Sequence, residues 1–381
     1  MLRAVGVTAF ASVVVAIAAG CGRSSSPGGN TDPGAGGAGA SAGAGGDGGS
    51  GAGGSGGGSA GTCGPPDTPS QFAVPTRSAQ PGPIAAGPDG NLWFTELTAR
   101  KIGRITPAGQ ITEFSPPSAL THSDGIVAGP DGNVWFTDSD ILADRVGHID
   151  RITPTGEITV FPAMLRGSSP ISITAGPDGN LWFGAFAEGT NGSDTARDTI
   201  GRITPAGIAT EFVVPWLGRP YGIAAGPDGN IWFAHSPARG AGQPQPGPGR
   251  IGRVAPDGTM TEVAVLANGS EPVAIAAGAD GNLWFAEIDA NKIGRVTPDG
   301  AVTEFSVPTP GGSPSAIAAG PDGNIWFTEI GANKIGSITP SGVITEFSVP
   351  TSDGSLGIAA GPDGTLWFTD TLGNTIDCMR P

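Results

Sequence analysis

The sequence predicts an all-β fold: a seven-bladed β-propeller of four-stranded blades, preceded by a signal sequence and a disordered Gly/Ala/Ser tether. Three observations support this prediction. A tryptophan-centred motif recurs seven times, each repeat divides into short apolar runs, and glycine and proline are too abundant for a helical bundle. All eight tryptophans and 14 of the 15 phenylalanines lie beyond residue 62, so the repeats can bury a core.

The repeated motif is GPDGNLWFTE in its first copy and recurs with few changes. Its tryptophans are separated by 42, 47, 50, 52, 42 and 41 residues, a period that fits one four-stranded blade per repeat. One tryptophan per blade is expected to form the core between blades: Trp93, Trp135, Trp182, Trp232, Trp284, Trp326 and Trp367.

Each repeat is interpreted as strands A to D joined by tight turns. In the fifth repeat the four runs are AIAAG (274–278), NLWFAE (282–287), NKIGRVT (291–297) and AVTEFSV (301–307). Asp-Gly pairs join A to B and C to D, and they favour hairpins because glycine adopts positive φ without steric cost. The last repeat lacks a fourth run, and residues 71–75 (QFAVP) are predicted to supply it and close the ring.

The N-terminus resembles a bacterial lipoprotein signal over residues 1–20. Arg3 precedes an uncharged apolar stretch that is short for a membrane span and ends in small residues. Cys21 then stands where a lipid-modified cysteine follows cleavage; the alternative is an ordinary signal peptide with an incidental cysteine. Residues 21–62 are predicted to form a flexible tether, because a segment composed almost entirely of Gly, Ala and Ser cannot bury enough apolar surface to fold. We therefore expect the propeller, residues 63–381, to be lipid-anchored at the cell envelope, periplasmic or surface-exposed.

The cysteine count predicts one disulfide bond. With Cys21 assigned to lipid, Cys63 and Cys378 remain as an even pair in an oxidising compartment. Cys63 comes just before the spare strand, and Cys378 lies in strand C of the blade that this strand would complete. A bond between them would fasten the closure of the ring.

The charge balance limits the class of partner. A net charge of -15 leaves no electrostatic footprint for a phosphate backbone, which excludes nucleic-acid binding. The expected partner is a small molecule or a peptide, and the expected membrane contact is the lipid anchor alone. A closed ring on a tether gives no reason to expect assembly, so a monomer is predicted.

Only one face of the predicted propeller carries loops of variable length, the face formed by the B–C and D–A connections. Binding sites tend to lie on such loops. Two rings of side chains should meet there. The residues that end strand B are Glu96, Asp138, Ala185, His235, Glu287, Glu329 and Asp370, and those that begin strand A are Gly82, Asp124, Ile171, Tyr221, Val273, Ser315 and Leu356.

Five members of the first ring are acidic. Clustered carboxylates repel each other unless they are protonated, hydrogen-bonded or neutralised by a cation. Oxygen ligands of this kind suit Mg²⁺, with Ca²⁺ as second choice. The structural alternative is that each acid caps backbone amides or pairs with a repeat lysine such as Lys292 or Lys334.

Blades 4 and 5 hold the best candidate pocket, because they combine an aromatic residue, a cation, an imidazole and two carboxylates. The candidates there are Trp216 and Arg219 for ligand binding, His235 and Tyr221 for catalysis, and Glu271 and Glu287 for metal binding. His122, elsewhere on or near the same face, is a further candidate for ligand binding. His148 is a weaker candidate, since histidines in loops are more often solvated than catalytic.

The strings NKIGRVTPDGAVTEFSVPTP and PSAIAAGPDGNIWFTE closely resemble the virginiamycin B lyase (streptogramin lyase) family, and the resemblance covers residues 71–378. It implies a seven-bladed propeller that linearises a cyclic depsipeptide antibiotic by elimination. A base removes the proton α to the ester carbonyl while Mg²⁺ polarises that oxygen, and the ester C–O bond breaks. The resemblance assigns Glu271 and Glu287 to the metal, but the two base histidines of the family correspond to Tyr221 and Val273 here, and a first-blade tyrosine to Gly82.

Three functions remain open at this point. The first is an envelope-tethered propeller that binds a peptide, glycan or small ligand without family catalysis. The second is a Mg²⁺-dependent carbon–oxygen lyase acting on a cyclic depsipeptide lactone, with His235 or Tyr221 as base. The third is a metal-dependent lactone or ester hydrolase.

Overall fold

The computed structural model describes residues 63–116, 123–139, 147–161, 168–187, 198–237, 247–350, 354 and 357–381. Cys21, the signal sequence, the tether and His122 lie outside the described residues. Within them the chain forms 28 strands in seven four-stranded antiparallel sheets, and the predicted all-β propeller is confirmed. No helix in these ranges is long and apolar enough to cross a membrane.

The first four blades follow one another along the chain. Blade 1 contains β2 (Pro81–Ala86), β3 (Leu92–Glu96), β4 (Lys101–Ile105) and β5 (Ile111–Phe114). Blade 2 contains β6 (Ile126–Ala128), β7 (Val134–Asp138), β8 (His148–Ile152) and β9 (Ile158–Phe161). Blade 3 contains β10 (Ser168–Ala175), β11 (Leu181–Ala187), β12 (Thr199–Ile203) and β13 (Ala209–Val213). Blade 4 contains β14 (Arg219–Ala225), β15 (Ile231–Ser236), β16 (Pro248–Val254) and β17 (Met260–Asn268).

The remaining blades complete the ring. Blade 5 contains β18 (Pro272–Ala277), β19 (Leu283–Glu287), β20 (Lys292–Val296) and β21 (Val302–Ser306). Blade 6 contains β22 (Pro314–Ala319), β23 (Ile325–Glu329), β24 (Lys334–Ile338) and β25 (Ile344–Ser348). Blade 7 contains β26 (Ile358–Ala360), β27 (Leu366–Asp370), β28 (Thr375–Met379) and, from the start of the domain, β1 (Ser70–Ala73).

The GPDGNxWF motif forms the A–B turn and fixes the tryptophan. In blade 1 the indole Nε1 of Trp93 donates a hydrogen bond of 3.0 Å to Asp89, whose carboxylate also accepts from Asn91. Gly87 packs against the indole so closely that a Cβ there would collide with the ring. Blades 2 to 6 repeat the Trp–Asp bond at 2.9–3.2 Å. In blade 7 Thr365 replaces the asparagine, and its hydroxyl accepts from Trp367 at 2.7 Å.

The core lies between blades, as predicted for the repeated tryptophans. The tryptophan of strand B packs with the phenylalanine that follows the equivalent tryptophan in the next blade: Trp93 with Phe136, and so on around the ring to Trp367 with Phe94. Side chains alternate along a strand, so each strand B presents its tryptophan to the next blade and its phenylalanine to the preceding one.

The ring closes in the predicted way. Strand β1 pairs antiparallel with β28, so that the beginning and end of the domain share blade 7. Cys63 and Cys378 form the predicted disulfide bond, which joins residues 315 apart in sequence. Asn374 adds hydrogen bonds to the chain between β1 and β2, donating to Val74 and Thr76 and accepting from Ala79.

Candidate functional site

The described members of the two predicted rings lie side by side on the face where strand A begins and strand B ends, here called the mouth face; Leu356 lies outside the described residues. In five blades the strand A ring residue is preceded by a proline, and this proline pairs with the strand B ring residue of the same blade: Pro81 with Glu96, Pro170 with Ala185, Pro220 with His235, Pro272 with Glu287 and Pro314 with Glu329. The pairing register shifts directly after each proline, so that the strand A ring residue lies in a β-bulge.

The acidic ring does not line an open channel. Its five carboxylates are each no more than 3 % exposed: Glu96, Asp138, Glu287, Glu329 and Asp370. By strand alternation each points to the same side as the phenylalanine two residues before it, into the interface with the preceding blade. Across the described ranges, no three Asp, Glu, His or Cys side chains converge on a point that could hold a metal ion.

Burial changes the chemistry of these acids. It raises the pKa of Glu96 from 4.5 to about 7, with Glu113 adding to the rise. In the same way it raises the pKa of Glu329 to about 8, with help from Glu346. The repeat lysines pair with these strand D glutamates rather than with the ring: Lys101 with Glu113 at 2.7 Å, Lys334 with Glu346 at 3.0 Å, and Lys292 with Glu304.

Blade 5 is the place where two candidate metal ligands come together. Glu271 immediately precedes Pro272, which pairs with Glu287, and the carbonyl of Glu271 accepts from Ile288 at 3.1 Å. Burial raises the pKa of Glu287 to about 7, against the effect of a hydrogen bond from the Ser270 hydroxyl. The other oxygen of Glu287, Oε1, is buried and has no hydrogen-bond partner among the described residues.

His235 lies at a different interface, between blades 3 and 4. Its ring is fully buried and makes an edge contact with Trp216 at a centroid distance of 5.9 Å. Burial, followed by the positive charge of Arg250, lowers the pKa of His235 from 6.5 to about 4. The imidazole is therefore neutral at pH 7 and closed off from solvent, which is unfavourable for a general base. Its catalytic role stays a prediction.

Trp216, Arg219 and Tyr221 form one corner of the mouth face beside His235. Trp216 is half-buried and packs against Phe233, with ring centroids 5.9 Å apart. The guanidinium of Arg219 lies over Phe186 of blade 3, 4.8 Å from the ring centroid, and Nη1 lies 3.5 Å from the Tyr221 hydroxyl. This corner faces blade 3, whereas Glu287 points between blades 4 and 5. The structure therefore separates the predicted pocket into two parts.

Blade 2 contains a group of acids that the pocket prediction left out. Asp150 is fully buried in strand C, opposite Phe136 of strand B, at the position where blades 1, 3, 4, 5 and 6 have a glycine packed on a phenylalanine ring. Burial, with the charge of Asp138, raises the pKa of Asp150 to about 8 and that of the Asp124 carboxyl to about 7. Comparison of the repeats position by position would have revealed Asp150. His148, half-buried, pairs with Asp138 at the start of β8.

The sequence matches the virginiamycin B lyase family over residues 38–192 and 245–381, most of the chain. This chain belongs to the virginiamycin B lyase family. No curated protein matches it significantly.

Solved structures of family members are similar to this chain. A streptogramin B lyase structure shares 34 % identity with a TM-score of 0.69, covering 81 % of this chain and 96 % of the other. The virginiamycin B lyase of Staphylococcus aureus shares 34 % identity with a TM-score of 0.70, covering 81 % and 98 %. A catalytically inactive variant of that lyase has been crystallised with quinupristin. The hydrazine synthase of Kuenenia stuttgartiensis, at 13 % identity and a TM-score of 0.65, covers 81 % and 97 % and shares the fold alone.

Within the virginiamycin B lyase family, this member differs at the positions where the resemblance places the bases. Val273 and Tyr221 stand there, and each is less than a tenth exposed. The side chain of Val273 has no proton acceptor. A phenol ordinarily ionises only near pH 10 and is protonated at neutral pH. The two carboxylates assigned to the metal, by contrast, are both present and adjacent.

Proposed function

We propose that this family member binds a peptide, glycan or small ligand on its mouth face and does not carry out the family elimination. The observation that carries the proposal is the state of the imidazole in blade 4: His235 is buried beneath Trp216, with its pKa lowered to about 4. Removal of a proton from carbon requires a base that touches the substrate. No such group replaces the histidines at Val273 and Tyr221.

Magnesium remains compatible with blade 5. Mg²⁺ is commonly held by one or two carboxylates together with water. The buried, unpartnered Oε1 of Glu287 and the adjacent Glu271 form a donor set of that kind. When bound, the ion would supply electrophilic polarisation of a ligand carbonyl oxygen. Such polarisation assists binding even where no base is present, so a cation alone does not imply turnover.

The proposal is tested with quinupristin, incubated with the full chain and Mg²⁺ and followed by reversed-phase chromatography with mass detection. We expect the depsipeptide to be recovered unchanged. Elimination would give a linear product of the same mass at a new retention time, because the broken C–O bond leaves an alkene and a carboxylic acid. Hydrolysis would add the mass of one water. Either product would overturn the proposal in favour of the lyase or the hydrolase.

A gain-of-function variant tests the reason for the inactivity. The double substitution Tyr221→His/Val273→His restores imidazoles at the positions that the resemblance assigns to the bases. We expect it to produce the linear, mass-neutral product in a Mg²⁺-dependent manner. His235→Ala in the same background serves as the control, because a buried structural imidazole should not contribute to the restored reaction.

Calorimetric titration of the full chain with MgCl₂ tests the metal site. We expect stoichiometric binding at pH 7.5 that is lost in Glu287→Gln. Glu329→Gln is the matched control, because Glu329 occupies the same ring position in blade 6. The proline that pairs with Glu329, Pro314, is preceded by Ser313, whereas the proline that pairs with Glu287 is preceded by Glu271. An absence of binding by the unmodified protein, or equal loss in both variants, would contradict the assignment of Glu271 and Glu287.

A further inference from the structure

Five blades have an arginine at the same position of strand C, and each of these arginines makes a contact with the next blade. Arg104, for example, lies over Trp93 at 5.5 Å and donates Nη1 to the carbonyl of Pro154 in the next blade at 2.7 Å. Four others make the same two contacts, with donor distances of 2.8–3.4 Å: Arg151, Arg202, Arg253 and Arg295. Outside the repeat position, Arg250 pairs with Glu262 at 2.7 Å. These guanidinium groups all have an oxygen acceptor within the protein.

Arg219 differs from these residues. It is half-buried at the start of β14, and the face of its guanidinium is held by Phe186 from the neighbouring blade. Its single polar contact among the described residues is the Tyr221 hydroxyl, at the 3.5 Å limit of a hydrogen bond. No carboxylate or carbonyl acceptor in the described ranges takes its remaining N–H groups. The cation–π contact fixes the plane of the group and leaves its edge available.

The preferred partner of a fixed guanidinium edge is a planar oxyanion. A carboxylate accepts two parallel N–H bonds from the fork, and such charge-assisted pairs are stronger than neutral hydrogen bonds. The surroundings favour a single negative charge over a phosphate dianion. The chain has a net charge of -15, so a second negative charge on the ligand would be repelled more strongly than the first.

Apolar surface lies next to this cation. Leu217, two residues before Arg219, is 74 % exposed, and Trp216 beside it is half-buried. A ligand that reaches Arg219 can therefore cover the leucine side chain and remove it from water. An exposed leucine alone is unremarkable in a soluble protein. Its meaning here comes from its position beside a guanidinium whose one polar contact in the described ranges is the Tyr221 hydroxyl.

We propose that Arg219 is the anion-recognition residue of the mouth face, and that the ligand is a monoanionic carboxylate bearing an apolar group, such as a peptide C-terminus. This inference rests on the proposed function and names its ligand class. Arg219 forms the bidentate contact, Phe186 holds the guanidinium in orientation, and Leu217 contacts the apolar group.

The test is calorimetric titration of the full chain at pH 7 with N-acetyl-L-phenylalanine and, separately, with N-acetyl-L-phenylalaninamide. We expect the acid to bind about tenfold or more tightly than the amide, since the amide cannot satisfy a charged fork. Arg219→Gln should abolish the preference for the acid over the amide, and Arg219→Lys should retain only part of that preference. Arg100→Gln, which removes an exposed cation from the B–C loop of blade 1, should leave both affinities unchanged.

Two further measurements separate the outcomes. Leu217→Ala should weaken both compounds by a similar factor, whereas Leu372→Ala, a 47 % exposed leucine of blade 7, should weaken neither. Tighter binding of N-acetyl-Ala-Ala-Phe than of the single residue would assign the site to a peptide C-terminus, and equal binding would assign it to small carboxylic acids. Equal affinity for acid and amide, binding of neither, or an unchanged preference in Arg219→Gln would overturn the inference. If the Arg219 inference failed but quinupristin were recovered intact, the proposal that this protein does not carry out the family elimination would be retained.

Discussion

Lowering the pH from about 8 to about 5 should stabilise this protein, the reverse of ordinary acid denaturation. Six carboxyl groups, five of them buried and Asp124 half-buried, have their pKa raised, chiefly by desolvation, to between about 6 and about 8: Glu96, Asp124, Asp150, Glu287, Glu329 and Asp377. In the unfolded chain they ionise near pH 4. Between these limits the folded state binds more protons than the unfolded state, so the free energy of unfolding falls as pH rises.

The pH window follows from the individual values. The stabilisation is fully present below about pH 4 and is lost as pH rises through the folded-state values of 6 to 8. An opposite contribution comes from turn aspartates such as Asp89 and Asp131. Burial alone would raise the pKa of each, but hydrogen bonds from Trp and Asn lower it below its ordinary value of 3.8. Their stabilisation is lost only in stronger acid. Thermal melts should therefore show a maximum near pH 5 and a decline toward pH 8.

The substitution Asp150→Asn tests the carboxyl group of this set whose pKa is raised furthest, from 3.8 to about 8. The amide has nearly the same shape but no charge, so the variant should melt roughly 5 °C higher than the unmodified protein at pH 8 and about equally at pH 5. Asp377→Asn is the matched control at the equivalent position of blade 7. There the carboxylate accepts from Gln71 at 3.1 Å and from Thr375 at 2.7 Å, so removal of its charge also removes good hydrogen bonds. A melting temperature that is flat or rising between pH 5 and 8 would contradict the prediction.

Reduction of the Cys63–Cys378 bond should produce the second large loss of stability. The bond constrains a loop of 315 residues, and in the chain-entropy treatment such a cross-link contributes on the order of 5 kcal/mol. We expect the melting temperature to fall by roughly 10 °C in reductant, given the size of the domain. Strand β1 should then detach from β28 before the rest of the ring unfolds, because the bond joins the segment preceding β1 to β28 itself.

Hydrogen exchange measures that detachment directly. Amides of β1, such as Phe72 opposite Ile376, should lose protection on reduction while those of β15 in blade 4 retain it. The control is the Cys63→Ala/Cys378→Ala double variant, which should exchange like the reduced protein and show no further response to reductant. Unchanged protection of β1 in reductant would show that the strand pairing alone closes the ring.

The architecture of this protein can be predicted from its amino-acid sequence alone. Seven copies of the tryptophan motif, five of them matching GPDGNxWF in full, four apolar runs in a repeat, a spare strand before the first repeat and one remaining pair of cysteines were sufficient to predict the blades, the closure and the disulfide bond. This information is local and periodic: strand alternation and Asp-Gly turns depend on neighbouring residues, and closure follows from counting strands. The resemblance assigns Glu271 and Glu287 to a metal, and Tyr221 and Val273 to the base positions, on the same kind of information, since each is defined by its position within a repeat.

The chemistry of the mouth face, by contrast, depends on contacts that form only when the blades fold together. In sequence, His235 and Glu287 occupy equivalent positions of adjacent blades, yet they point into different interfaces, and burial drives the pKa of one down and of the other up. The same applies to Asp150, whose carboxylate is fully buried, and to Arg219, whose position over Phe186 joins residues from two blades. Desolvation and the presence of an acceptor depend on groups brought close by folding, and a repeat pattern contains no information about them.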